Sequence, residues 1–255
     1  MNLAKKYNVI VGVSLDGTKE THDLYRVFKT GRPTYDAVID NIKFMKENGL
    51  NVGCLTTLTK EALKKIDEIY TTFLSLEIDF SFNPFFEPCL IGYDEMRIEK
   101  NDYASAICKL FDLWIEDENS NIQIPSFERI IDGLTNREHE NHTCNTIKNC
   151  AESFIAIDIN GYLYPCNHFC GNQKYSFGIY ELGKLCSLME KNPIHKRWDI
   201  LKDNECKNCP IQNMCFGGCP YHSLIYNDTL YGKDFICESQ KIIINHIFNY
   251  LSKYE

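Results

Sequence analysis

No stretch of this chain is apolar for the ~18 residues that a membrane-spanning helix needs, so no membrane partner is expected. An excess of basic charge is also lacking. Lys and Arg number 27 against 35 Asp and Glu, for a formal net charge of -8 and a pI near 5.4. With no polybasic stripe, nucleic-acid binding driven by counterion release and docking on anionic lipid are both excluded. Internal repeats and low-complexity linkers are missing too. The opening MNLAKKYNVIVGVSLDG carries two lysines and a short apolar run. It has neither the length of a signal h-region nor a small-residue cleavage site, so it reads as a strand, and a cytoplasmic setting is expected. What remains is 255 residues, 44% hydrophobic and 24% charged, enough for one large or two small globular domains with a real core.

Cysteine is what the chain has in excess. Thirteen residues is several times ordinary usage, and the number is odd. Without a secretory signal, a disulfide framework gives way to thiolate ligation of metal. Eight of the thirteen form an ordered series. Cys144 is followed by five residues and Cys150, ten residues to Gly161, and four to Cys166. Later come Cys206, two residues, Cys209, five, Cys215, three, Cys219, seventeen, and Cys237. Eight thiolates suit two four-cysteine sites, either [4Fe–4S] clusters or a pair of structural zinc ions. Cys54, Cys89, Cys108, Cys170 and Cys186 read most simply as buried apolar residues.

Around this series the texture changes. Strands are expected over 8–15, 51–59 and 78–86, with helices over 35–48, 60–74 and 102–116; that alternation marks βα units around a parallel sheet. Pro125 and the polar stretch 136–143 read as the approach to a boundary. Beyond Cys144, short strands over 154–159 and 162–164 alternate with Gly, Pro and Asn, and an apolar helix over 239–251 ends the chain.

The cysteine register, with Gly161 in step, resembles the SPASM domain, the auxiliary-cluster module of radical SAM enzymes that modify peptides and proteins, the anaerobic sulfatase-maturating enzymes among them. Val11-Gly-Val-Ser-Leu-Asp-Gly17, with His22-Asp23 and Arg26, is similar to the fourth strand and following loop of the radical SAM barrel. Leu110-Phe-Asp-Leu-Trp114 resembles the segment that bridges barrel and module. The resemblance implies an α/β fold: the C-terminal half of a partial (β/α)6 TIM-like barrel over 1–100, a helical bridge over 101–143, and a small cysteine-rich α+β module over 144–255. It implies two [4Fe–4S] clusters, one on Cys144, Cys150, Cys166 and Cys219 and one on Cys206, Cys209, Cys215 and Cys237. Together these make the loaded chain about four charges more acidic than the formula.

The same resemblance places Ser14 and Phe86 against S-adenosylmethionine. Yet the C-x3-C-x2-C motif that holds the cluster cleaving that cofactor is absent from these residues, as are about three βα units, on the order of 90 residues. S-adenosylmethionine is therefore expected only if the missing barrel half is supplied, by a longer gene product or by a partner chain. The implied activity is oxidative modification or crosslinking of a ribosomally made peptide or protein. The alternative is a non-catalytic electron-transfer or peptide-docking subunit that needs a separate radical SAM chain. Asn167 stands where sulfatase-maturating enzymes carry an Asp that accepts a proton, and an amide takes none near neutral pH. Asp16 reads as a turn former beside Gly17, and His22 and Arg26 as a polar loop pair. Gly178 to Lys184 imitates a phosphate-binding loop, but Leu185 replaces the required Ser or Thr.

Overall fold

The computed structural model describes residues 2–85, 94–135 and 150–253. The chain divides into two compact units, one of Met1–Arg137 with Asn245–Glu255, the other of Glu138–Ile244.

The first unit begins with helix α1 (Asn2–Lys6) and then alternates β1 (Ile10–Ser14), α2 (Lys19–Asp23), α3 (Tyr35–Glu47), β2 (Asn51–Leu58), α4 (Lys60–Lys64), α5 (Ile66–Leu76), β3 (Phe80–Pro84), α6 (Lys100–Ile115) and α7 (Pro125–Leu134). The strands form a parallel sheet in the order β1-β2-β3, with Ser14 opposite Leu55 and Leu55 opposite Ser81. Alternate residues face opposite sides. Val52, Cys54, Thr56, Leu58 and Phe80 are buried, whereas Ile10, Ser14, Leu55 and Asn83 on the other face are exposed. Phe80 stacks on Phe73 of α5 at 4.2 Å, and Phe111 of α6 meets Phe127 of α7 edge-on at 5.4 Å.

Local chemistry sets the boundaries. Thr18 and Thr59 cap α2 and α4 by accepting hydrogen bonds from the N–H groups of Thr21 (3.2 Å) and Ala62 (3.3 Å). The helix expected over 60–74 is two helices. Lys65 leaves helical space at φ -114°, ψ 27°, and the offset lets both Leu63 and Ile66 reach the core. Helix α7 falls within the helical bridge expected over 101–143; Pro125, which reads as the approach to a boundary, occupies its first turn, where a missing N–H costs nothing.

The second unit holds α8 (Cys150–Ser153), β4 (Ala156–Ile157), β5 (Tyr162–Tyr164), β6 (Gly178–Ile179), α9 (Leu185–Met189), α10 (Arg197–Asp203), α11 (Gln212–Cys215), α12 (Pro220–Asn227) and the start of α13 (Cys237–Leu251). The three short strands are antiparallel, in the order β4-β5-β6. Their first turn needs Gly161 at φ 82°, while the Asp158 carboxylate accepts hydrogen bonds from the N–H groups of Asn160 and Tyr162, each at 2.9 Å. Tyr164, Phe169, Tyr175, Ile194 and Leu230 form the buried cluster beside the sheet. Among the described residues, no helix is long and apolar enough to cross a membrane.

Candidate metal centre

Four of the eight ordered cysteines come from three short segments and line one cavity. Cys206 follows α10, its N–H bonded to Leu201 O at 2.9 Å. The Cys209 N–H donates to Cys206 O at 3.0 Å, closing the tight turn that C-x2-C allows. Cys215 ends α11, and Cys237 opens α13 with its N–H on Asp234 O at 3.1 Å. All four line a cavity of about 280 Å³, together with Lys207, Lys233 and Lys241.

Burial pushes the Cys206 and Cys237 thiols up, and that of Cys215 up to about 12. As bare thiols these three keep their protons near neutral pH. A bound cation would displace them, and the lysines offset part of the resulting negative charge. Among the described residues, no three His, Cys, Asp or Glu side chains are gathered tightly enough to grip a single metal ion. A zinc ion would hold its sulfurs at about 2.3 Å. Four thiols lining one cavity suit a thiophilic metal group, and an iron–sulfur cluster, whose irons each take one cysteine, would fit that donor set.

Cys150, Cys166 and Cys219 lie in the same unit. Cys150 begins α8, and Cys166 precedes the 3₁₀ turn Asn167–Phe169. Both pack against the Tyr164–Phe169–Leu230 cluster, as do Tyr221 and Leu224 of α12. Cys219 is buried as the residue before α12, and its N–H donates to Asp234 Oδ2 at 2.8 Å. Asp234 is itself buried and accepts from His222 Nδ1 at 2.9 Å. Cys144 lies outside the described residues, as do Phe86 and Cys89. Two of the cysteines read as buried apolar residues, Cys170 and Cys186, are instead exposed; Cys54 is buried and its thiol pushed up to about 12.

A second polar group sits at the C-terminal edge of the parallel sheet, where α/β proteins commonly bind ligands. Ser14 ends β1 on the exposed face. Two residues on, Asp16 is buried rather than a simple turn former. Its Oδ1 accepts from the Thr57 N–H at 2.8 Å and Arg26 Nη2 at 3.1 Å, and its Oδ2 from Arg26 Nε at 2.5 Å. His22, expected as a loop residue, is fully buried. Its Nδ1 accepts from the Asp16 N–H at 3.2 Å, so its proton sits on Nε2, 3.0 Å from Thr34 Oγ1. Sequence reasoning passed over two further residues in the cysteine-rich unit, Asp234 and the buried Arg197. Neither lies at a motif position, and their partners are largely backbone atoms.

Among curated proteins, the chain is 30% identical over 225 residues to a cysteine-type anaerobic sulfatase-maturating enzyme of Clostridium novyi (strain NT), covering 84% of this chain and 58% of that protein. A serine-type anaerobic sulfatase-maturating enzyme of Bacteroides thetaiotaomicron is 22% identical over 273 residues, covering 97% of this chain and 64% of that protein. The chain thus spans roughly three-fifths of the length of these relatives. Among solved structures, native anSMEcpe with bound AdoMet superimposes with a TM-score of 0.83 at 23% identity, over 99% of this chain and 70% of the other. The same protein with AdoMet and the Kp18Cys peptide gives 0.82. At that identity the likeness speaks for the α/β fold. No family model matches the chain. The resemblance to sulfatase-maturating enzymes drawn from the cysteine register is borne out by these relatives.

Proposed function

We propose that this chain is the cluster-carrying part of a radical S-adenosylmethionine enzyme that modifies a peptide or protein. It would hold two [4Fe–4S] clusters, one on Cys144, Cys150, Cys166 and Cys219, the other on Cys206, Cys209, Cys215 and Cys237. The cavity that Cys206, Cys209, Cys215 and Cys237 line supports this reading most. In this view residues 1–100 are the later βα units of a partial barrel and 144–255 a SPASM module.

When bound, such clusters supply one-electron transfer. The chain's own residues do the rest. Eight thiolates hold the iron, and Lys207, Lys233 and Lys241 lower the cost of their charge. Where the rest of the barrel is supplied, Ser14, on the exposed face of the sheet, and Phe86 would contact S-adenosylmethionine. The cysteine motif that would cleave that cofactor is not among these 255 residues, so the reaction needs residues beyond them. A peptide substrate is supported by the solved relative that binds one. Asn167, adjoining Cys166, can hydrogen-bond a peptide but not take up its proton, which favours a modification other than that of the sulfatase-maturating enzymes.

Anaerobic reconstitution tests the reading. About eight iron and about eight acid-labile sulfide per chain are expected, with the broad brown absorption of [4Fe–4S]. About two zinc and no sulfide would overturn it.

A further inference from the structure

Arg197 opens α10 and is only 6% exposed. Each of its five N–H bonds is used. Nε donates to Leu230 O at 2.8 Å, Nη1 to Phe216 O at 3.3 Å and Gly218 O at 2.9 Å, and Nη2 to Gly217 O and Gly232 O, both at 2.8 Å. All five acceptors are neutral backbone carbonyls. A guanidinium does not lose its proton in proteins, so a full positive charge is buried here with its hydrogen bonds satisfied and its charge unmatched by them. Asp234, the buried carboxylate of the same region, takes its own hydrogen bonds from His222, Cys219 N and Ile236 N.

Three of the five carbonyls belong to residues 216–218, the whole span between Cys215 and Cys219. That span is left-handed throughout, with φ of 49°, 81° and 68°, and its carbonyls converge on the guanidinium. It has little room to shift. A Cβ on Gly217 would lie 2.4 Å from Leu201 Cδ1, and one on Gly218 2.4 Å from Asp234 Cβ. Cys215 lines the lysine-rich cavity and Cys219 does not; in the cluster reading above, Cys215 belongs with Cys206, Cys209 and Cys237, and Cys219 with Cys144, Cys150 and Cys166. Burial disfavours the charged form of Arg197, and Cys219, Asp234, Cys150 and Cys206 would each favour it when ionised.

We infer that Arg197 is a positioning residue that holds the Cys215–Cys219 loop in its ligating shape and supplies the buried positive charge that both cysteine groups neutralise once they are ionised. The inference rests on the cluster reading above. A buried cation and a buried anionic cluster each lower the desolvation cost of the other. An electron added near a fixed positive charge is stabilised, so Arg197 also raises the reduction potential of the nearby clusters.

The test uses the full chain, reconstituted anaerobically, beside Arg197→Lys and Arg197→Gln. Iron and sulfide per chain are measured, with midpoint potentials from a redox titration followed by EPR. Arg197→Lys keeps the charge and loses the fork, so it should bind less iron at potentials close to those of the unaltered chain. Arg197→Gln should bind at least twofold less iron than Arg197→Lys, and its remaining clusters should titrate at more negative potentials. Equal iron in the two variants with unshifted potentials would reduce Arg197 to a loop anchor and overturn the inference. Should Arg197→Gln fail to fold, Arg197→Lys decides: full iron loading overturns the positioning role, and reduced iron at unshifted potentials upholds it. An unaltered chain that takes up no iron or sulfide would sink the cluster reading itself, a distinct failure.

Discussion

His22 has its protonation state dictated by its neighbours. Burial holds its imidazole below the usual range, outweighing the carboxylates of Asp16 and Asp23. The neutral ring is the form that fits, since Nδ1 must accept from the Asp16 N–H. A group whose folded pKa lies below its unfolded value near 6.5 adds stability above that pH and loses it as the pH falls. Urea unfolding at pH 7.5 and at pH 5 should therefore show a less stable protein in acid. His22→Gln should cost about 1–3 kcal/mol at pH 7.5 and flatten the difference between the two pH values. A variant with the same acid loss as the unaltered chain would place that loss elsewhere. Asp16, one link away, illustrates what spacing does not reveal. Its place in an Asp-Gly turn was legible, but its partner Thr57 is 41 residues distant and meets it only because β1 and β2 pair in parallel.

Among the elements, period and punctuation carried most of the reading. The stripe in α3 and the apolar runs of β1 and β2 were readable because each repeats a simple pattern and ends at a turn former. The start of helix α7 was not legible because one residue type has two meanings: proline stops a helix from inside and starts one at its first turn. Spacing alone put Cys206 and Cys209 on one turn; that Cys215 and Cys237 line the same cavity was implied only by the resemblance. The cysteine series gave no hint of Arg197, whose five partners are carbonyls lying 19 to 35 residues away and carry no side-chain signature. The loop those carbonyls come from makes a sharp prediction. In a library randomised at 216, 217 and 218 and selected for iron binding, glycine should return at 217 and 218, because both have positive φ and no space for a Cβ. Position 216 should accept Asn, which tolerates left-handed backbone. Recovery of alanine at 218 with full iron loading would contradict this account.

Taken whole, the molecule joins two units held together in different ways. In the first, a parallel sheet and long helices bury a continuous apolar core with Phe73, Phe80, Phe111 and Phe127 at its centre. In the second, no described strand exceeds three residues, and a buried guanidinium and the buried or half-buried thiols of Cys150, Cys166, Cys206, Cys209, Cys215, Cys219 and Cys237 stand where more core would otherwise be. Short ladders give little cooperative stability of their own, so binding free energy from the proposed clusters would become folding free energy. The consequence reaches past chemistry to turnover. In cells the half-life of this protein, and not merely its activity, should follow the supply of iron: chains made under chelation should be degraded several-fold faster than chains made with iron, at the same rate of synthesis. Pulse-chase labelling measures it, and identical half-lives under both conditions would mean that the sulfur-rich unit stands without its metal.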